Sequence, residues 1–67
     1  NDVKDDIMKI FEDVDYAYPL EDVIDELRKF EYVNPGSVIL GALQREILYI
    51  DSIEDDGIVY LAAAEEE

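Results

Sequence analysis

Cysteine, histidine and tryptophan are all absent from this chain, and lysine plus arginine number only 5. Without cysteine no disulfide can reinforce the fold, and the sequence carries no mark of its redox compartment. Without histidine or cysteine, zinc has almost no ligand set and the commonest general acid/base is missing. The shortage of cations removes the phosphate-neutralising surface that nucleic-acid binding draws on. No apolar run approaches the roughly 20 residues of a membrane span, and no secretory leader is legible. A soluble, cytoplasmic protein without contact to membranes is therefore expected. The chain opens at Asn1 rather than Met, as expected of a fragment or a processed chain.

What is present is acid. Asp and Glu number 19, giving a formal net charge of -14. Yet 49% of the residues are hydrophobic, which separates the chain from disordered acidic tails and implies a core with the acid outside it. Isoleucine recurs at Ile7, Ile10, Ile24, Ile39, Ile47, Ile50, Ile53 and Ile58, whereas salt-adapted cores run to smaller side chains. At 67 residues, one domain is the limit, with a small core and a thin stability margin.

The apolar spacing predicts three helices and a hairpin. Over Val3 to Val14, the residues Ile7, Ile10, Phe11 and Val14 share one stripe at about 100° per residue. Asp5, Asp6, Lys9, Glu12 and Asp13 fall opposite, and Asn1 or Asp2 suits the cap. Tyr16 to Tyr18 reads as a three-residue edge strand. Pro19 then fits the first turn of a second helix over Leu20 to Phe30. There Leu20, Val23, Ile24, Leu27 and Phe30 repeat at helical spacing, while Asp22, Asp25, Glu26 and Lys29 face away. Asn34-Pro35-Gly36 is turn chemistry. Asn34 or Ser37 would cap a third helix reaching Glu46, with Ile39, Ala42, Leu43 and Ile47 inward and Ser37, Gly41, Gln44 and Arg45 outward. Ile47 to Ile50 and Ile58 to Leu61 are β-branched and aromatic, the mark of strands. Between them Asp51 to Gly57 forms a loop longer than a tight hairpin needs. No internal repeat is visible.

The order α-β-α-α-β-β defines a small α+β domain and resembles the winged helix-turn-helix superfamily. The segments Leu-Glu-Asp-Val-Ile-Asp-Glu-Leu and Ile-Leu-Gly-Ala-Leu-Gln-Arg-Glu have the look of that family in general. The resemblance implies a domain over residues 1–61, a recognition helix at Ser37–Glu46 and a wing at Asp51–Gly57. Residues 62–67 are expected to be a frayed acidic tail. Ile47 departs from the pattern, since many such domains place a glycine between recognition helix and strand.

DNA binding is the default task of that family, and the residues oppose it. The outward face of the third helix offers one cation, Arg45, beside Gln44. The wing offers Glu54, Asp55 and Asp56, and the second helix offers Asp22, Asp25 and Glu26. These surfaces would repel phosphate. Asp51-Ser52-Ile53 is similar to the phosphopantetheine attachment triplet of acyl carrier proteins, but a carrier needs that serine at a helix start. Ser52, Glu54, Asp56 and Gly57 approach the spacing of a calcium loop, yet the twelfth position, which should be Glu, is Ala63. Both are read as parts of a turn. Carboxylate pairs are too numerous for any one to signal catalysis. No catalytic residue, cofactor or metal is therefore expected. The five tyrosines read first as packing residues and secondly as anchors for a partner.

The leading expectation is a non-enzymatic interaction module that binds a basic protein surface through Asp22, Asp25, Glu26, Gln44, Arg45, Glu54, Asp55 and Asp56. The alternative is a nucleic-acid mimic of the phage-inhibitor kind, occupying a DNA-binding site. A further alternative is a DNA-binding transcriptional regulator whose basic arm lies elsewhere.

Overall fold

The computed structural model describes residues 2–14 and 17–64. Asp2 starts the first helix: its side chain accepts a hydrogen bond from the Lys4 N–H at 3.1 Å. Helix α1 spans Val3–Ile10, with Asp5 and Asp6 in the first turn and Lys9 in the last, each suited to the helix dipole. It stops four residues short of the expected Val14. The Glu12 N–H donates to Lys9 and the Val14 N–H to Phe11, both at 3.2 Å, so the chain tightens to i→i−3 bonds. That turn returns Val14 to the core, and Phe11 meets Tyr18 edge-on, ring centroids 5.8 Å apart.

Strand β1 is Tyr18–Pro19. Tyr16, expected to open it, lies outside the described residues. Pro19 ends the strand and serves as the cap of α2, Leu20–Lys29, one residue ahead of the expected first turn. Val23 and Leu27 of α2 are fully buried. Leu20 and Ile24 are half-buried, and Phe30, expected on the same stripe, is 38% exposed. The reason is positional: Phe30 is the C-cap, where the chain leaves the helix.

The exit of α2 is a Schellman motif. Glu31 sits at φ 70, its N–H bonds to Arg28, and the Tyr32 N–H bonds to Leu27 at 3.2 Å. Helix α3 spans Pro35–Gln44. The Asn34 side chain accepts from the Ser37 N–H at 3.3 Å, so Asn-Pro-Gly is a helix start rather than a separate turn, with Pro35 where its fixed φ suits the first helical residue. The exit of α3 repeats the same motif. Glu46 has φ 63, its N–H bonds to Leu43, and the Ile47 N–H bonds to Ala42 at 2.8 Å.

Strand β2 is Leu48–Ile53 and β3 is Val59–Ala63. The antiparallel sheet has the order β1-β3-β2. Leu48 faces Ala63 and Ile50 faces Leu61, but Ser52 faces Tyr60, so Asp51 is the extra residue of a β-bulge. The long loop expected over Asp51–Gly57 shrinks accordingly, because its first three residues are strand. The Glu54 N–H donates to Ile58 and the Gly57 N–H to Glu54, both at 2.9 Å. The connection is thus the three residues Asp55, Asp56 and Gly57, with glycine at φ 87 where a three-residue hairpin calls for the left-handed region. The Asp56 carboxylate accepts from the Ile58 N–H at 3.0 Å and steadies the turn. Strand β3 continues through Ala62 and Ala63, past the expected limit at Leu61. Ala62 is buried, and the Ala64 N–H reaches Ile47 at 2.9 Å.

Helix α2 is the centre of the packing, touching α1, α3, β1 and β3. The core joins Ile7, Ile10 and Phe11 to Val23 and Leu27, Ile39 and Ala42, Ile47, Leu48 and Leu61. No polar or charged side chain is buried among the described residues. The charge therefore lies on the outside, as composition implied. Tyr32 supplies one long-range polar tie: its hydroxyl donates to Asp6 at 2.6 Å, joining the connector after α2 to α1.

Candidate partner-binding surfaces

The outward acids of α2 do not form one uniform patch. Asp25 stands 3.8 Å from Arg28 with both side chains two-thirds exposed, and Glu26 bonds Lys29 at 3.0 Å. The hydrogen bond and charge of Glu26 raise the pKa of Lys29. Asp25 and Glu26 are thus partly neutralised by the basic last turn of their own helix. Glu21 and Asp22 instead occupy the first turn, beside the positive end of the helix dipole.

The sheet register brings this first turn against the hairpin. Pro19, Leu20, Glu21 and Asp22 on one side, and Asp56, Gly57, Ile58 and Val59 on the other, line a groove of about 380 Å³. Its lining combines the apolar Pro19, Leu20, Ile58 and Val59 with the acids Glu21, Asp22 and Asp56. Asp22 and Asp56, both expected site residues, come together although 34 positions separate them in the chain. Glu54 and Asp56 border a second, shallower depression with Asp51, Ser52, Ala17 and Tyr60. Asp55 is exposed at the tip of the turn.

Gln44 and Arg45 are exposed at the far end of α3 and border neither depression. Helix α3 contains no charged residue from Pro35 to Gln44. Its outward side shows Ser37, Gln44 and also Leu40, 59% exposed, which the spacing had not singled out.

The calcium-loop spacing is not realised as a loop: Ser52 lies in β2 and Ala63 in β3. No group of three or more Asp or Glu that could hold a metal ion occurs among the described residues. Ser52, being within a strand, also lacks the helix start that a carrier-protein serine requires. No helix among the described residues is long and apolar enough to cross a membrane.

A third surface was missed by sequence reading. Leu43, Glu46, Leu48, Tyr49, Ile50 and Ala64 line a trough of about 550 Å³ between the end of α3 and β2. The signal for it was the continuous apolar run Ile47–Ile50, which lacks the alternation of a strand with one dry face.

The described residues define a small α+β domain of three helices and a three-stranded antiparallel sheet. Compared with known protein families, with characterised proteins and with solved structures, the chain has no match.

Proposed function

We propose that this chain is a winged-helix-type interaction module, without catalytic activity of its own, that binds a basic protein surface rather than nucleic acid. The element order and the β1-β3-β2 sheet support the winged-helix reading. The observation that carries the functional reading is the groove in which Asp22 and Asp56, with Glu21, line the same depression as Leu20, Ile58 and Val59. Apolar groups and carboxylates lining one groove match a protein anchor flanked by Lys or Arg. The helix that would enter a DNA groove, α3, brings no cation, and Arg45 is the only Lys or Arg after Lys29.

The test uses two assays. In gel-shift titration, duplex DNA should remain unbound at micromolar protein and moderate salt. In affinity capture, the protein retained by the wild-type chain should be released by salt and lost with Asp22→Lys/Asp56→Lys. Mobility-shifted DNA, or a retained protein indifferent to the double reversal, refutes the reading. Displacement of the retained protein by duplex DNA points instead to nucleic-acid mimicry.

A further inference from the structure

From Tyr32 to Gln44 no residue is charged, the longest such run in a chain of net charge -14. Most of that run is helix α3. Its inner side is buried through Ile39 and Ala42, but Leu40 is 59% exposed. Gly36, Ser37 and Gln44, three and four residues from Leu40 and so on its face, are exposed as well. Val33, just ahead of the Asn34 cap, is 99% exposed. Surface helices ordinarily turn charge to water, as α2 does with Asp22, Asp25 and Lys29.

The charges at the two ends of this face select its occupant. Glu31 stands before the uncharged run and Arg45 after it, and both are exposed. Helices α1 and α2 each carry two acids in the first turn, whereas α3 carries none, so the positive end of its dipole has no acid of its own. The face is therefore complementary to itself when turned end for end. Arg45 of one copy then approaches the end where its mate carries Glu31, and Glu46 approaches the acid-free first turn. A two-fold axis makes each of these pairings twice. Two copies meeting through the groove or the hairpin turn would instead set Asp22 and Asp56 against acid.

We infer that this face is a self-association surface, on which a second copy of the chain packs α3 against α3, antiparallel and crossing at Leu40 and Gly41. Gly41 fits that crossing. It stands inside a helix, outside the left-handed region, and a Cβ added to it would meet nothing within 4 Å. Neither the backbone nor the core calls for glycine there, although glycine weakens a helix interior; close approach of a second backbone does. One helix face per copy is a small interface, under about 1,200 Å² in total, and two chains of -14 repel. The dimer accordingly forms at high-micromolar concentration and tightens as salt screens the repulsion. The charged groove contains no residue of α3, so the two surfaces stand or fall separately.

The experiment is sedimentation equilibrium of the full chain from micromolar to millimolar concentration, at low and at high NaCl. A monomer–dimer equilibrium should appear, with a Kd that falls as salt rises. Leu40→Lys should raise that Kd about tenfold or more, although it makes the chain less negative. Gly41→Ala should act in opposite directions in two assays. It should raise the melting temperature of the dilute monomer, because alanine favours the helix and has room. It should also raise the dimer Kd, because the new Cβ stands between the two backbones. Arg45→Glu should weaken the dimer more than Lys9→Glu, an equal charge change at an exposed site on α1, and adding Glu31→Arg to Arg45→Glu should restore it. Asp22→Lys/Asp56→Lys, which tests the charged groove, should leave the dimer no weaker. Three results overturn the inference: a chain still monomeric at millimolar concentration in high salt, a dimer indifferent to Leu40→Lys or to Gly41→Ala, or equal weakening by Arg45→Glu and Lys9→Glu with no rescue by Glu31→Arg.

Discussion

Both α2 and α3 leave their last turn through a glutamate held in the left-handed region, at φ 70 for Glu31 and φ 63 for Glu46. That position is where glycine is usually found, because a Cβ there crowds the neighbouring carbonyl. The crowding costs roughly 1–2 kcal/mol. Glu46→Gly removes it but also loosens the unfolded chain, which offsets about 0.4–1 kcal/mol. The net expectation is a gain of about 0.8 kcal/mol, the middle of a range of about 0–1.6, or about 3–6 °C in Tm for a domain of this size. The bonds of the motif, Glu46 N–H to Leu43 and Ile47 N–H to Ala42, are backbone bonds and survive the change. Because a negative charge is also lost, Glu46→Ala is the necessary control: it removes the same charge and keeps the Cβ. Thermal melting by circular dichroism should rank glycine above alanine. Equal melting temperatures would refute the backbone argument and leave charge as the whole effect. Glu31→Gly should behave alike, and the two should add, since each closes a different helix.

The remaining expectations use the core, the tyrosine tie and the charge. Leu27, fully buried on the central helix, should cost about 2–5 kcal/mol when cut to alanine, and an unchanged urea midpoint would show that α2 is not the centre of the packing. Tyr32 donates to Asp6 and, through that bond first and partial burial second, holds its proton above the ordinary phenol range. A pKa raised in the folded state means stability that is present below about pH 10 and lost as pH rises through the folded value. Tyr32→Phe should therefore be less stable than wild type at neutral pH and should flatten the alkaline decline in urea titrations; identical declines would dismiss the tie. Finally, Tm should rise from low salt to a few tenths molar NaCl, because -14 on so small a surface repels itself and the exposed Asp25–Arg28 pair has little to lose; a falling trend would mean that ion pairs outweigh the repulsion.

The parts of the fold legible in the sequence are those decided within one turn of helix or along one strand. The stripe through Val23 and Leu27 and a helix start capped at Asn1 or Asp2 both depend on neighbours a few residues apart. The misread boundaries have local causes that compete. Val14 has the right phase for α1, but the chain tightens after Ile10 and brings Phe11 onto Tyr18. Phe30 has the right phase for α2, but it caps the helix and faces water. The winged-helix pattern places a glycine between recognition helix and strand, where this chain has Ile47; the left-handed exit lies one residue earlier, with glutamate in it.

The candidate surfaces were legible only as residue types. That Asp22 and Asp56 share a groove follows from the pairing of Pro19 with Tyr60, a contact set by tertiary packing. That Asp25 and Glu26 contribute less follows from Arg28 and Lys29, three residues on, which sequence spacing allowed but did not weigh. The bulge at Asp51 was invisible for a different reason: one inserted residue flips the side-chain alternation beyond it, and in a run where both faces are apolar the pattern carries no phase to flip. The same absence of phase hid the trough beside β2. A strand with one wet and one dry face would have announced its edge as polar, and Leu48-Tyr49-Ile50 does not, because Tyr49 and Ile50 both remain half exposed at the margin of a core too small to cover them.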